Sequence, residues 1–155
     1  MKKIFFIILL TLIGISFAQA SEKIVSISEG EKDAKLKIIV YESLTCGACA
    51  EFHKSIYPEI KKDFIDTGLA SIEFRSFPLN MAALNASKIV HCKNDGKSEI
   101  LHFLYKNQRL WVKGETIEEA NKNLKDLINN QNFNIDFDSC INNKEIEDFI
   151  LEDRI

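Results

Sequence analysis

Cys46 and Cys49 stand two residues apart in the stretch ESLTCGACAEFH, residues 42–53. A Cys-x-x-Cys pair can cycle between dithiol and disulfide, hold half of a metal site, or close a structural bridge. The ring such a bridge would close is small. It restricts little of the unfolded chain and is a poor staple. Zinc needs four ligands, and the sequence has no second Cys-x-x-Cys and no histidine cluster to supply them. Cu(I) would accept softer company, Cys46 and Cys49 with His53 or a methionine. His53 falls one turn after Cys49 and two after Cys46, on one helical face. It is a possible modulator of the pair, although most such histidines are simply packed and hydrogen-bonded. Redox exchange through Cys46 and Cys49 is the favoured reading, with no metal and no cofactor.

The elements around the pair must place one sulfur where it can react. LKIIVY, residues 36–41, is β-branched and aromatic and reads as a strand. It is apolar on both faces, as a central strand covered by helices on each side would be. After the cysteines, Phe52, Ile56, Ile60 and Phe64 recur every four residues, an apolar helical stripe interrupted by Pro58. Gly68 ends that helix, and ASIEFRSF, residues 70–77, reads as a second strand with Ile72 and Phe74 on one face. Strand, helix and strand in about 40 residues suit a parallel crossover, which is almost always right-handed. Cys46 then sits beyond the carboxyl end of a strand, at a helix N-terminus, where open α/β sheets place their chemistry. Unpaired N–H groups and the helix dipole stabilise a thiolate there. Cys46 is therefore expected to be the exchanging sulfur, and Cys49, one turn inside, the resolving one.

From Asn80 onward the pattern is helical. Asn80 is a capping residue for residues 81–92, Ser98 for EILHFLYKNQ, and Thr116 with Glu119 forms a capping box. Ile117, Ala120, Leu124, Leu127 and Ile128 form one stripe, and Ile146, Phe149 and Ile150 another. About four helices are expected, the last over about residues 144–154. Asn85-Ala86-Ser87 matches a glycosylation acceptor but falls inside a helix and is read as chance.

The chain of 155 residues opens MKKIFFIILLTLIGISFAQA. Lys2 and Lys3, the uncharged run from Ile4 to Phe17 and the Ala18-Gln19-Ala20 site form a secretory signal pattern, cleaved after Ala20. The run is shorter than the roughly 20 residues a membrane span needs. Residues 1–20 carry two lysines and no acid, so the formal charge goes from −3 to −5 on their removal. No basic stripe suggests nucleic acid. All four cysteines remain in an oxidising compartment, where disulfides persist. Cys92 and Cys140 are expected to form a structural bridge, the alternative being two buried free thiols.

YESLTCGACAEFH, YPEIKKDFIDTG, FRSFPLN and a helical block containing Cys92 together resemble the DsbA-like thioredoxin-fold oxidoreductases, most closely the alphaproteobacterial type. The resemblance covers nearly all of residues 21–155. It implies an α/β fold, a thioredoxin-like βαβ unit with a helical insertion block. The division is 1–20 signal peptide, 21–79 N-terminal part of the thioredoxin-like domain and 80–155 insertion. It also implies a periplasmic enzyme that exchanges disulfides with unfolded or reduced secreted proteins and is reoxidised by a membrane quinone-linked thiol oxidase. Family members usually carry a histidine between the cysteines, where this sequence has Gly47-Ala48. That places the Cys46 pKa nearer the thioredoxin value of about 7 than the DsbA value of about 3.5. The family fold continues through a Gly-Thr-Pro-like loop, a strand pair and a helix. The only prolines here are Pro58 and Pro78, neither in that context. The C-terminal strands and helix are expected to be missing, which leaves a catalytically impaired remnant, or a Cu(I) carrier, as alternatives.

Overall fold

A computed structural model describes residues 23–152; the segment expected to be a signal peptide and its expected cleavage site lie outside the described residues. Strand β1 (Ile27–Gly30) runs antiparallel to β3 (Ala70–Ser76), and β2 (Leu36–Glu42) runs parallel to it. The order is β1-β3-β2. β1 is a short strand that the sequence pattern does not announce. Its end is fixed by Gly30, which has φ +91°; a Cβ there would meet the Ala70 carbonyl oxygen at 2.7 Å. That position admits only glycine without rearrangement.

The centre of this sheet is β3, not LKIIVY. Ala70, Ile72 and Phe74 are buried on one face of β3 together with Ile27 of β1. β2 occupies an edge among the described strands, and Leu36, Ile39 and Tyr41 are exposed. Of the apolar residues of β2, Ile38 and Val40 turn toward the core. Hydropathy could not tell a doubly covered strand from an edge strand with apolar residues on its open face.

β2 and β3 are joined by a continuous helical run, residues 47–65, here α1. It begins as an α-helix (Gly47–Glu51), widens to a π-helix (Phe52–Ile56), returns to α (Tyr57–Ile60) and widens again (Lys61–Ile65). The Tyr57 N–H bonds back to the Phe52 carbonyl, five residues away, immediately before Pro58. This wide turn is the device that lets Pro58 sit inside the run, since proline cannot donate and its ring needs room in the preceding turn. The stripe through residues 52, 56, 60 and 64 is consequently only half buried, with Phe52 and Ile60 packed against the core. Ile56 is 53% exposed and Phe64 46%, whereas His53, Tyr57 and Ile65 are buried. His53 and Tyr57 can point inward because their polar atoms find partners there.

Six further helices follow: α2 (Met81–His91), α3 (Glu99–Lys106), α4 (Gln108–Trp111), α5 (Ile117–Asn129), α6 (Phe137–Ile141) and α7 (Lys144–Glu152). α4 and α6 are the two short ones that an expectation of about four omits. The Asn80 side chain caps α2 by accepting from the Ala83 N–H at 2.9 Å, and Thr116 with Glu119 closes the capping box of α5. Ser98 does not cap α3. Its hydroxyl donates instead to Glu29 at 2.5 Å. Ile89, Leu104, Trp111, Leu124 and Ile128 pack in one core with the covered sheet face, while Leu84, Ile146 and Ile150 form a satellite cluster between α2 and α7. Cys92 and Cys140 are joined by a disulfide, Cα atoms 5.5 Å apart, which ties the end of α2 to α6. Asn85 is buried in α2 and bonds to Asn121.

Candidate active site

Cys46 is the N-cap of α1. Its backbone is extended, its N–H donates to the Ser43 carbonyl at 2.9 Å, and its carbonyl accepts from Ala50 at 3.1 Å. Its sulfur takes the place of a capping oxygen and accepts from the Cys49 N–H at 3.3 Å. The loop before it is held from three sides. Gln108, the first residue of α4, donates from Nε2 to the carbonyls of Leu44 (2.8 Å) and Cys46 (3.0 Å). The Leu79 N–H donates to Ser43 Oγ, and Asn80 Nδ2 donates to Thr45 Oγ1. Cys46 and Cys49 are both free thiols and both partly accessible.

The two sulfurs are driven in opposite directions. Cys46 is held below the ordinary thiol value, first by the hydrogen bond from the Cys49 thiol and then by the Cys49 backbone N–H. Burial and the Glu42 charge oppose this without cancelling it. Cys49 is pushed up to about 11, mainly by burial and then by the Cys46 sulfur it bonds to, with the Glu42 charge in the same direction. A pair whose environments separate its pKa values in this way has a nucleophile and a reserve thiol built in.

Beneath the pair lies a polar network that crosses the interior. Glu42, the last residue of β2, is buried. Its Oε2 is 2.6 Å from His53 Nε2, while its Oε1 is buried without a hydrogen-bond partner. His53 Nδ1 is 3.0 Å from His102 Nδ1 of α3, and His102 Nε2 is 2.8 Å from Glu29 Oε1 of β1. Tyr105 stacks on His53 with ring centroids 4.1 Å apart, and Tyr57 stacks on His102 at 4.6 Å. The Tyr105 hydroxyl is also buried without a partner; burial and the Glu42 charge push its pKa up. His53 and His102 border a cavity of about 1050 Å³ that is also walled by Gly47, Tyr57 and Gln108.

Both ring nitrogens of His53 are thus engaged, so His53 has no free nitrogen to offer a metal beside Cys46 and Cys49. Among the described residues, no group of three or more His, Cys, Asp or Glu is placed to hold a metal ion. Cys92 and Cys140 belong to a different part of the molecule. Glu42, His102, Tyr105 and Gln108 were not singled out by the sequence. Glu42 alone left a signal there, an acid at the carboxyl end of a strand directly before the Cys loop. His102 and Gln108 reach the site from more than 45 residues away and leave none.

A family model for thioredoxin matches residues 22–154. The chain is 34% identical over 127 residues to a Rickettsia bellii protein named as a protein-disulfide oxidoreductase, with 67% of this chain and 49% of the relative covered. A variant of Wolbachia pipientis alpha-DsbA1 superposes with a TM-score of 0.74 at 31% identity, covering 83% of this chain and 65% of the other. The chain belongs to the DsbA-like group of the thioredoxin family. Chlamydia trachomatis DsbA shares the fold at 21% identity, with a TM-score of 0.59 over 86% of this DsbA-like chain and 73% of the other. The DsbA-like chain spans about half the length of the curated relatives it matches.

Proposed function

We propose that this chain carries the dithiol centre of a thiol–disulfide oxidoreductase, with Cys46 exchanging and Cys49 resolving. The observation that carries this reading is the single hydrogen-bonded unit at the start of α1. Cys46 sulfur caps the helix, and Cys49 lies beneath it with its pKa driven the opposite way. In the oxidative direction a substrate thiolate attacks Cys46 Sγ of the oxidised pair, and the Cys46–Cys49 bond breaks. Cys49 leaves as a thiolate and takes a proton, for which its raised pKa suits it. The second substrate thiolate then attacks the substrate sulfur bound to Cys46. The substrate disulfide forms and Cys46 leaves as a thiolate, stabilised where it stands.

The substrates in this reading are unfolded or reduced secreted proteins, in the periplasm, with a membrane quinone-linked thiol oxidase returning Cys46 and Cys49 to the disulfide. Lys2, Lys3 and Ala18-Gln19-Ala20 support export. Among the described residues no helix is long and apolar enough to cross a membrane. Cys49→Ala incubated with a disulfide-bonded test protein is expected to accumulate a mixed disulfide through Cys46. Wild type is expected to catalyse insulin reduction, and both variants lacking one cysteine are not. A mixed disulfide that forms through Cys49 in Cys46→Ala, with none through Cys46, would overturn the assignment. Wild type that neither traps nor turns over would identify a non-catalytic chain.

A further inference from the structure

We propose that the cavity beside α1 is a docking groove for an acidic polypeptide segment, the one that carries the cysteine exchanging with Cys46. This rests on the exchange reading of Cys46 and Cys49 and adds to it a substrate class. The cavity encloses about 1050 Å³, the upper end of what small-molecule sites enclose. One wall is α1 with Asp66 after it, and the other runs from His102 of α3 to Leu110 of α4.

Its charge runs against that of the whole chain. Acids outnumber bases in the sequence, 23 to 20, yet five cationic and two acidic side chains line the cavity. Both acids already have partners. Glu51 stands 3.9 Å from Lys54, and Asp66 holds Lys61 at 2.9 Å, a cation it shares with Glu29. Lys62, Lys106 and Arg109 remain, all exposed and without an ion pair among the described residues. Unpaired cations around a concavity draw in an anionic partner. Between them the lining is Ala50, Pro58, Leu110 and the rings of Tyr57 and Tyr105, which suit a peptide backbone and apolar side chains.

The three cations are spread along the groove. Lys106 and Arg109 flank Gln108 in sequence, and Gln108 Nε2 donates to the Cys46 carbonyl at 3.0 Å, so this pair stands at the reactive end. Lys62 follows Gly47 by ~15 residues along α1, or about 20 Å at the rise of a helix. An extended peptide covers that distance in about six residues. Gly47 joins the groove to the sulfur. It lines the cavity, follows Cys46 directly, and outside its own neighbours nothing lies within 4 Å of where a Cβ would stand. A chain leaving Cys46 can enter the groove past Gly47 without meeting a side chain there.

The occupant is fixed by what it must bring. A lipid headgroup or a nucleic acid strand could answer the charge, but neither carries a sulfur to the Cys46 end. A polypeptide with a cysteine does. With one acidic residue beside that cysteine and a second about six residues away, it meets Arg109 or Lys106 at one end and Lys62 at the other. The exchange step can be followed with peptides whose cysteine is joined to 2-nitro-5-thiobenzoate. The Cys46 thiolate attacks the peptide sulfur, the Cys46–peptide disulfide forms, and the peptide–thiobenzoate bond breaks. The coloured thiobenzoate leaves as a thiolate with the electron pair of that bond.

The test uses the full chain with Cys49→Ala, which keeps the mixed disulfide, and stopped-flow absorbance of the released thiobenzoate. Four activated peptides of about eight residues carry no acid, an acid beside the cysteine, an acid six residues away, or both. The peptide with both acids is expected to react at least about tenfold faster than the neutral one. That preference should collapse at roughly 1 M salt, where the screening length is about 3 Å. Each protein's rate with the neutral peptide is its reference, so a change in Cys46 itself divides out. Adding Lys62→Gln is expected to lower the ratio for the distant acid about threefold and that for the near acid less, and adding Lys106→Gln with Arg109→Gln to do the reverse. Equal rates for all four peptides would overturn the groove while leaving the exchange reading intact. A preference for acidic peptides that persists when all three cations are replaced would overturn it too. No thiobenzoate released from any peptide would overturn the exchange reading and the groove with it.

Discussion

The backbone N–H of Cys49 donates to the sulfur of Cys46 across 3.3 Å. In the proposed exchange, one residue thus supplies both the donor that stabilises the exchanging sulfur and the partly buried thiol that would displace what Cys46 has bound. The two roles are separated by environment, since Cys46 caps the helix from outside and Cys49 packs against the core.

The order of reactivity follows. In the reduced protein at neutral pH, limiting iodoacetamide is expected to label Cys46 almost alone. Cys46 lies below the ordinary thiol value of 9.0, and Cys49 is pushed up to about 11. A thiol raised from 9.0 to about 11 carries roughly a hundredfold less thiolate than an ordinary one. Peptide mapping checks this, and equal labelling would contradict the environments described. The Cys49→Ala variant removes the thiol that bonds to Cys46 but keeps the backbone N–H. Its Cys46 is expected to titrate at a higher pH than in wild type and still below 9.0.

Gln108 fastens the reactive loop from a distant helix through two N–H bonds to the Leu44 and Cys46 carbonyls. Gln108→Ala is expected to cost about 1–2 kcal/mol in urea unfolding and to speed amide exchange at residues 44–48. Gln108→Glu has the same shape but no donor, and it sets a carboxylate against two carbonyl oxygens. It should cost more than the alanine variant. A glutamate variant as stable as wild type would show that Gln108 serves the loop through packing rather than through its donors.

The βαβ unit was legible because periodicity and β-branching are local, and Asn80 and Thr116 announced their helices through capping chemistry. The Cys pair announced its site through spacing alone. Less legible was anything decided by tertiary partners. His53 and Tyr57 bury because Glu42, His102 and Glu29 receive their polar atoms, so the apolar residues Ile56 and Phe64 turn outward. Ser98 abandons its cap for Glu29 for the same reason. Pro58 signalled a disturbance, but not that a π turn would absorb it. β1 is four residues long and pairs with a strand more than 40 residues later, and no window of the sequence contains that information.

The Cys92–Cys140 disulfide spans 48 residues, links α2 to α6, and lies apart from the reactive loop. Closing a loop of this length is worth roughly 4 kcal/mol in the chain-entropy model. The double variant Cys92→Ala, Cys140→Ala is expected to lose a large part of that in chemical unfolding. Its Cys46 labelling rate should stay that of wild type. Loss of labelling selectivity in a variant that still unfolds cooperatively would show that the bridge shapes the site as well as the helical block.

His91 should set an acid limit on stability that is separate from the redox centre. It ends α2 buried, its ring edge-on to Phe149 at 5.2 Å, with Nδ1 lacking any hydrogen-bond partner. Burial lowers its pKa from 6.5 to about 4, and a hydrogen bond with the Val25 backbone only partly offsets this. Above pH 6.5 the imidazole is neutral in both folded and unfolded chains, and the full stability is present. Between 6.5 and about 4 the unfolded chain binds a proton that the folded chain refuses, so stability falls as pH falls through this window. The shift corresponds to roughly 3 kcal/mol when the window has been crossed. Glu29 is also held below its ordinary value, but its contribution is lost only as pH drops below 4.5, so the two windows overlap only near the acid end of the first. Urea unfolding across the upper window is expected to show a steady loss in wild type and a much flatter profile in His91→Leu. The leucine variant fills the same space without a titrating group, though it forfeits the Val25 bond and starts somewhat less stable. Parallel slopes in the two proteins would place the acid sensitivity elsewhere.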